Sequence, residues 1–263
     1  MIASIIITGD TKERYLEKTI KSCLDQNIND IQIILVFSRL SNILNLKKLF
    51  KNRIIFKQIR RKFNIPVRDQ LYKIKTALKI AKGKYIFLLD GDDYFKKTKL
   101  KSLINYTKKK ELVIDDHLID LNNELFYIKE KFYKKMYLYK LLFNSWPDKV
   151  CTSCISGDKS LFVNFYKNIN INKINYLAID ILIVLFNFKN LKKINKILTV
   201  KKIVSEGVDK GYSNLLKSIY WRRRLEQHFY FRKVVTIHFS LEYYFCKFIV
   251  LLFDFRKYIQ KIF

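Results

Sequence analysis

The chain is poor in the residues that build linkers, disulfide scaffolds and histidine-rich metal sites. Its 263 residues include only six glycines, two prolines, four cysteines and three histidines. So few glycines and prolines exclude a flexible linker, and so few scattered cysteines exclude a disulfide scaffold. His117, His228 and His238 have no metal-ligand spacing, and Cys151 and Cys154 lack the further ligands that complete a zinc site.

Long apolar runs are also missing. The uninterrupted run at residues 248–253 is far shorter than the roughly 20 residues that a membrane-spanning helix needs. The short apolar start of the chain has no basic segment before it, as a secretory signal would. The expected location is therefore the cytoplasm.

Acidic residues are scarce relative to basic ones, with 23 Asp and Glu against 52 Lys and Arg and a formal net charge of +29. Such a surface attracts phosphorylated substrates, anionic lipid and nucleic acid. No helix-turn-helix, zinc-finger or RNP-like pattern accompanies the charge, so no specific nucleic acid is expected as a partner. A hydrophobic content of 49% excludes a disordered chain.

One acidic stretch, Asp90-Gly91-Asp92-Asp93, follows an apolar run that is typical of a strand buried on both faces. Side chains alternate along an extended chain, so Asp90 and Asp92 project to the same side. In α/β sheets, ligands bind beyond the carboxyl ends of such strands. Carboxylate oxygens there suit Mg²⁺ or Mn²⁺ held together with substrate phosphates. The spacing alone fits an acidic turn that merely ends a strand equally well.

Strands and helices alternate around this motif. Short apolar strands are expected at residues 4–8, 31–36, 54–56 and 85–89. The intervening segments place apolar residues on one helical face, as with Leu16 and Ile20, or Leu71, Ile74 and Leu78. This βαβαβαβ pattern predicts an α/β fold with a largely parallel sheet covered by helices.

Three segments of the sequence resemble the family 2 glycosyltransferases. They are residues 4–8, residues 15–26 and residues 81–93, the last of which contains the acidic motif. The likeness is good from the first strand to this motif and thinner beyond it. The resemblance implies a GT-A fold, which is a mixed, mostly parallel, Rossmann-like sheet flanked by helices, here with a helical C-terminal extension.

The resemblance also implies roles for the acidic motif. In that family the DxD cluster holds a divalent cation, Mg²⁺ or Mn²⁺, on the diphosphate of a nucleotide-sugar donor. Asp92 is then the expected direct metal ligand, and Asp90 and Asp93 support it or contact the donor beside Gly91. Arg68 falls where the family often has an arginine near the nucleotide, although a solvated arginine at a helix start explains it equally well.

Two positions depart from the family pattern. The second long strand commonly ends in two aspartates, one of which contacts the nucleotide, whereas Phe37 and Ser38 stand here. A Ser38 hydroxyl would bind a ribose or base more weakly than a carboxylate. The turn after the first strand offers Thr8 and Asp10 to the donor where proline and asparagine are often seen. The donor therefore stays undetermined at this stage.

An inverting sugar transfer also needs a carboxylate that takes the proton from the acceptor hydroxyl. The resemblance places this group at the start of a helix well after the metal motif, where Asp180 lies among apolar residues. A lone acid in such surroundings needs a partner, a ligand or a shifted pKa, which favours Asp180 as the catalytic base. A salt bridge at the edge of the core is the alternative, and Asp148 and Asp158 are rival acids.

The segment before Asp180 is where such enzymes bind the acceptor. Trp146 is expected to stack on a sugar ring there, with Thr152 and Ser153 as further acceptor-binding residues. After Asp180, residues 198–207 resemble the mobile loop that closes over the donor, with Lys201 or Lys202 meeting the diphosphate.

The C-terminal region carries an amphipathic helix. Its apolar residues recur at spacings of four and three: Leu241, Phe245, Phe248, Leu252, Phe255 and Ile259. Lys247, Arg256, Lys257 and Lys261 flank this face. Such a helix is expected to lie on an anionic membrane as a peripheral contact; packing on the protein's own core or on a second copy is the alternative. Residues 222–224 are arginines that either bind a phosphorylated lipid acceptor or form a basic helix face.

Three regions follow from these patterns. Residues 1–111 are expected to form the nucleotide-sugar-binding half of a GT-A domain, residues 112–210 its acceptor-binding half, and residues 211–263 a basic amphipathic helical region. Asn122 and Asn123 are expected to form a hairpin turn in the second region.

The sequence thus predicts a metal-dependent inverting glycosyltransferase, peripheral on the inner face of the cell membrane. It would move a sugar to a glycan or lipid-linked acceptor in bacterial cell-surface polysaccharide biosynthesis, such as that of lipopolysaccharide or capsule. One alternative is a nucleotidyltransferase on a similar sheet, although the Gly-rich basic signature expected after its first strand is missing. The other is a non-catalytic, basic membrane- or nucleic-acid-binding protein with the same fold.

Overall fold

The N-terminal half alternates strands and helices as predicted. The computed structural model describes residues 1–10, 13–39, 43–107, 110–127, 150–203, 214–235 and 241–262. The first elements are β1 (Ala3–Thr8), α1 (Glu13–Leu24), β2 (Ile31–Phe37), α2 (Ile43–Phe50), β3 (Ile55–Gln58), α3 (Pro66–Ile80) and β4 (Tyr85–Asp90). Strand β1 pairs in parallel with β2 and β4, and β2 pairs in parallel with β3.

The second half adds further strands to the same sheet. Its elements are β5 (Tyr94–Phe95), α4 (Lys99–Thr107), β6 (Leu112–Leu121), β7 (Glu124–Phe126), β8 (Ile155–Asp158), α5 (Lys159–Asn168), α6 (Ile179–Phe186), β9 (Leu191–Lys202), α7 (Ser218–Val235) and α8 (Leu241–Ile262). The strand order is β3-β2-β1-β4-β8-β6-β9-β5, and β7 pairs with β6. Strand β8 is antiparallel to both of its neighbours, and β6 is parallel to β9. The predicted mixed, mostly parallel sheet is confirmed.

Helices cover both faces of this sheet, which explains why its first strands are apolar throughout. Ile6 of β1 packs in a cluster with residues of α3, α5 and α6. Its neighbours Ile5 and Ile7 pack on the opposite side with residues of α1, α2 and α4. Because successive side chains of a strand alternate faces, every position of β1 is buried. Only the polar residues that follow the strands are left to contact a ligand.

Two turns place the strands accurately. A Cβ added at Gly83 would lie 2.2 Å from the carbonyl carbon of Ala3, so the chain entering β4 passes too close to β1 for any side chain. The predicted hairpin turn is confirmed, because Leu121 pairs with Glu124. Asn122 and Asn123 have φ angles of 54° and 72°, the left-handed conformation that a two-residue hairpin loop requires.

Helices α7 and α8 pack against each other and form the C-terminal extension. The predicted amphipathic helix is confirmed, with Cys246 and Val250 buried on its inner side. The six apolar residues of the predicted face are instead 39 to 64% exposed. In the described part of the chain, this face therefore does not pack on the core. Among the described helices, none has the length and apolar content needed to cross a bilayer.

Candidate donor and metal site

The acidic motif lies where β1 and β4 end side by side. Thr8 is the register partner of Asp90, and the Gly91 amide donates to the Thr8 carbonyl at 2.9 Å. The side-chain amide of Gln70, in the first turns of α3, lies 2.7 Å from Asp90 Oδ1 and 3.4 Å from Thr8 Oγ1. Sequence reasoning missed Gln70, although it stands two residues after Arg68. Thr8, Asp90 and Gly91 are thus brought together as expected of one site.

Asp93 is held inside the protein. It is 2% exposed, and its Oδ2 accepts from the Ser153 hydroxyl at 2.6 Å. Its Oδ1 accepts from the backbone amide of Lys202 at 2.9 Å. The Ser153 hydroxyl also accepts from the Asp90 amide at 3.0 Å. With both oxygens engaged, Asp93 is placed to support the motif and link β4 to β9, while Asp90 and Asp92 are only partly buried.

A buried ion pair between Lys99 and Asp115 fixes the backbone of Ser153. The Lys99 ammonium is fully buried, 2.7 Å from Asp115 Oδ1 and 2.7 Å from the Ser153 carbonyl oxygen. Thr199 completes the group by donating to Asp115 Oδ2 at 2.7 Å. Burial raises the pKa of Asp115 to about 7 in spite of the opposing charge of Lys99. This network holds the segment before β8 against the motif.

Like charges are concentrated at the motif. Burial raises the pKa of Asp90 well above its ordinary value of 3.8, and the carboxylates of Asp93, Asp92 and Asp180 raise it further. Burial also raises the pKa of Asp93 to about 7, and it raises that of Asp92 although Lys201 and Lys202 oppose the shift. Asp180, ninety positions from Asp90 in the sequence, is therefore near enough to repel it.

This electrostatic arrangement suits a divalent cation. Asp90 and Asp92 offer hard carboxylate oxygens at the edge of the sheet, and their mutual repulsion is what a bound cation would offset. The donor set fits Mg²⁺ or Mn²⁺ better than softer metals, because it contains oxygen only.

A second group of metal-ligating side chains lies between α7 and α8. Ligand atoms of His228, Glu242 and Cys246 are within 4.8 Å of one another, and all three residues are buried. The Arg224 guanidinium already pairs with Glu242 at 2.6 Å, and His228 Nε2 is 3.1 Å from the other carboxylate oxygen. We assign this group to the packing of the two helices, because Arg224 already neutralises Glu242.

Asp10 and Ser38 meet at the ends of β1 and β2. Asp10 Oδ1 accepts from the Ser38 amide at 2.7 Å, and its Oδ2 lies 2.8 Å from the Lys73 ammonium. Burial alone would raise the pKa of Asp10, but Lys73 and the amides of Ser38 and Arg39 outweigh it and lower the pKa below 3.8. The two predicted donor-binding residues are thus neighbours, with Lys73 as an additional member that sequence reasoning missed.

Asp180 is the second residue of α6 and is only partly buried, whereas its neighbours Ile179 and Ile181 are buried. The loop before it is held from two sides. Arg68 of α3 donates to the Ile174 carbonyl and, at 2.6 Å, to Asn175 Oδ1. Arg68 thus has a structural role, and its contact with the donor stays a prediction.

Glu226 of α7 holds the same loop from the other side. Its carboxylate accepts from the backbone amides of Asn175, Tyr176 and Leu177 at 2.8, 2.6 and 3.0 Å. Sequence reasoning missed Glu226, because no residue near it in the chain indicates that it binds three backbone amides of a distant loop.

The predicted acceptor-binding residues have different positions. Thr152 and Ser153 are 5% and 0% exposed, and the Ser153 hydroxyl is used by the acidic motif. This burial favours a supporting role for Ser153 over direct contact with an acceptor. Trp146 and the rival acid Asp148 lie outside the described residues. The other rival, Asp158, caps α5 by accepting from the Ser160 amide at 2.9 Å.

The segment expected to be a mobile loop is a strand as far as Lys202. Residues 198–202 belong to β9, because they pair with β6 up to the match of Asp120 with Lys202. The Lys202 ammonium lies 3.6 Å from Asp120 Oδ2, and its charge opposes the rise in the pKa of Asp92 that burial causes. Both lysines therefore flank the motif from a fixed strand end, and the rest of the predicted loop lies outside the described residues.

Comparisons with known proteins agree with this geometry. The chain matches poly(ribitol-phosphate) β-N-acetylglucosaminyltransferase TarP of Staphylococcus aureus with 29% identity over 111 residues, 40% of this chain and 33% of TarP. It matches a glycosyltransferase of Haemophilus influenzae with 26% identity over 135 residues, 49% of this chain and 38% of that protein. The chain thus spans about a third of the length of the curated relatives it matches.

Solved structures share the fold. S. aureus TarS residues 1–349 in complex with UDP-GlcNAc superpose with a TM-score of 0.62 at 15% identity, covering 95% of this chain and 70% of that one. The complex of the same protein with UDP gives a TM-score of 0.60 at 13% identity, with the same coverage. The family model described as "Glycosyl transferase family 2" matches residues 4–166, which include all but the first residue of β1, the acidic motif and every strand from β2 to β8. The chain therefore belongs to glycosyl transferase family 2.

Proposed function

We propose that this chain is a metal-dependent inverting glycosyltransferase that moves a sugar from a nucleotide-sugar donor to a glycan or lipid-linked acceptor. The observation that carries the proposal is that Asp180, ninety positions away in the sequence, lies near enough to Asp90 of the acidic motif to repel it. Membership of glycosyl transferase family 2 supports the same activity.

The donor would bind across the ends of β1, β2 and β4. Asp92 and Asp90 would hold Mg²⁺ or Mn²⁺, with Asp93 as their support. When bound, the cation offsets the negative charge that develops on the departing nucleoside diphosphate. Thr8, Asp10, Ser38, Gly91 and Lys202 would surround the donor. This assignment is supported by the contacts of Ser38 with Asp10, of Gly91 with Thr8 and of Lys202 with Asp93 of the motif.

Asp180 would act as the general base. Its place in the first turn of α6 leaves the carboxylate partly exposed, so an acceptor hydroxyl can reach it. The carboxylate takes the hydroxyl proton as the acceptor oxygen attacks the anomeric carbon from the side opposite the leaving diphosphate. Attack from that side inverts the anomeric configuration.

TarS provides the first donor to test, because it has been solved with UDP-GlcNAc. TarP, by its name, transfers N-acetylglucosamine to poly(ribitol phosphate). These relatives support a role for this chain in bacterial cell-surface polysaccharide biosynthesis, with a UDP-sugar as donor.

The location we propose is the inner face of the cell membrane. The outer face of α8, defined as the six apolar residues from Leu241 to Ile259 given above, is exposed and has Lys247, Arg256 and Lys257 beside it. Apolar side chains of this kind enter the boundary between headgroups and acyl chains, and the basic ones attract anionic lipid.

The proposal is tested by donor hydrolysis. The protein is incubated with a panel of nucleotide sugars, beginning with UDP-GlcNAc, with Mn²⁺ or with EDTA. We expect release of UDP that depends on the metal and is lost in Asp92→Asn. The matched control is Asp25→Asn, an exposed acid on a helix-to-strand connection. Absence of turnover across the panel, or equal turnover in EDTA, would contradict the proposal.

A further inference from the structure

An open cleft lies between the start of α7 and the end of α8. Its volume is about 780 Å³, and the residues that matter for its chemistry are Tyr176, Ser218, Arg222, Asp254, Arg256 and Lys257. Ser218 begins α7, so the cleft also lies at the positive end of that helix dipole. The remaining lining is partly apolar, with Phe253 and Ile219.

The charge in this cleft is positive. Three cationic side chains face one carboxylate, and that carboxylate, Asp254, is paired with Arg222. Arg256 and Lys257 are exposed and form no ion pair with any described residue. The cleft therefore has an excess of two positive charges, which matches a phosphate ester in charge. Guanidinium groups are also suited to phosphate because they donate two parallel hydrogen bonds.

The cleft is connected to the proposed base through one short loop. Tyr176 lines the cleft and stands four residues before Asp180. The backbone of this loop is fixed by Glu226 of α7, the same helix that forms one wall of the cleft. A ligand bound here would thus lie beside the loop that leads directly into Asp180. The place proposed for the donor diphosphate is a different one, at Asp92, where the charge of Lys201 opposes the rise in the pKa of that carboxyl.

We propose that this cleft is an acceptor subsite that binds a phosphate ester, so that the acceptor is an anionic, phosphate-bearing glycan or lipid. The inference rests on the proposed glycosyltransferase function, which it extends by naming the chemical class of the acceptor. The phosphate is held by Arg256 and Lys257, and the acceptor chain continues past Tyr176 toward Asp180.

The test compares two variants with equal loss of charge. Arg256→Gln/Lys257→Gln neutralises the cleft, and Lys47→Gln/Lys48→Gln neutralises two exposed lysines of α2. Binding of a glycerol phosphate trimer is measured calorimetrically in EDTA at low ionic strength. We expect the cleft variant to raise the Kd at least about tenfold and the α2 variant to change it less than about twofold.

A second arm separates a lipid-borne phosphate from a soluble one. Both variants are sedimented with vesicles of phosphatidylglycerol and of phosphatidylcholine, with and without the trimer as competitor. Binding of the trimer without selective binding of phosphatidylglycerol assigns the phosphate to a soluble chain, and phosphatidylglycerol binding that the trimer displaces assigns it to a lipid headgroup held in the cleft. Loss of phosphatidylglycerol binding in the cleft variant that the trimer does not displace in the wild type would overturn the subsite, because Arg256 and Lys257 also lie beside the outer face of α8. Wild-type protein that binds neither probe, or equal losses in the two variants, would overturn the inference.

Donor hydrolysis is measured on the same samples. Its result in the wild type tests the proposed donor site separately from the cleft. A wild-type protein that hydrolyses no donor would refute the proposed function, whereas the phosphate-binding result would still stand. A wild-type protein that hydrolyses the donor while both variants bind phosphate equally would refute only the subsite.

Discussion

Apolar side chains are buried in the sheet strands β1 and β4 but exposed on the outer face of α8. Ile5, Ile6 and Ile7 of β1 are fully buried, whereas Phe248 and Phe255 of α8 are 57% and 64% exposed. In the sheet, the buried apolar residues fix the strands, and the strands hold the polar residues that follow them at the edge of the sheet. On α8 the apolar residues are themselves the surface that we propose for membrane contact. Similar hydrophobic patterns therefore mark a scaffold in one region and a contact surface in the other.

The largest expected effect concerns chemistry at the sheet edge. Asp180→Asn keeps the shape of the side chain but removes its ability to accept a proton, so we expect transfer to fall by about 10²–10⁴-fold. Transfer is measured with UDP-GlcNAc and Mn²⁺, beside a thermal melt that should be unchanged. Turnover equal to that of the wild type would remove Asp180 from the role of base.

The close approach of β1 to the chain that enters β4 is tested at Gly83. A new Cβ would meet the Ala3 and Ser4 backbone at 2.2 and 2.3 Å, which no side-chain movement relieves. We expect Gly83→Ala to lower the free energy of unfolding by about 3 kcal/mol. Gly157→Ala is the milder control, because its nearest contact is 3.2 Å from the Glu111 carbonyl oxygen. Equal urea midpoints for the two variants would contradict the close approach of β1 and β4.

The hydrogen bonds between Ser153 and the acidic motif are tested by removing the Ser153 hydroxyl. Ser153→Ala removes the hydroxyl that binds Asp93 and the Asp90 amide, so we expect a loss of about 1–3 kcal/mol in stability. Ser156→Ala is the matched control, because its buried hydroxyl has no hydrogen-bond partner in the described structure. The control should be neutral or slightly stabilising. An equal effect of both changes in urea unfolding would show that Ser153 does not hold the motif.

The smallest effect on stability is expected on the outer face of α8. Phe248→Ser should leave the urea midpoint unchanged and weaken sedimentation with phosphatidylglycerol vesicles several-fold. Val250→Ser, on the inner side of the same helix and 7% exposed, should cost about 1–2 kcal/mol in stability. If Phe248→Ser destabilised the protein as much as Val250→Ser, the outer face would be packed against protein, and the membrane assignment would fail.

Much of the fold was predictable because its signals are local. Strand positions followed from apolar runs, helix positions from one-sided spacing, and the turn at Asn122 and Asn123 from two residues that tolerate positive φ. The acidic motif was predictable for the same reason, since it directly follows the strand that positions it.

Contacts between distant segments were not predictable in this way. Gln70 reaches Asp90 only because α3 packs with its first turns beside the end of β4. Glu226 reaches the loop before Asp180 only because α7 lies against it. Lys202 was expected in a mobile loop, but its pairing with Asp120 extends β9 to this point. In each case the partner is set by how helices pack and how strands align. A single segment of sequence holds no information on either.

The sequence by itself determined the order of strands and helices, the acidic motif after β4 and the amphipathic character of α8, because each depends on neighbours within a few residues. Tertiary structure decided that Asp180 lies near enough to Asp90 to repel it, that Ser153 is internal and that α7 and α8 enclose a basic cleft. It also decided that the apolar face of α8 stays exposed, since burial depends on which surfaces remain after the sheet and its helices have packed.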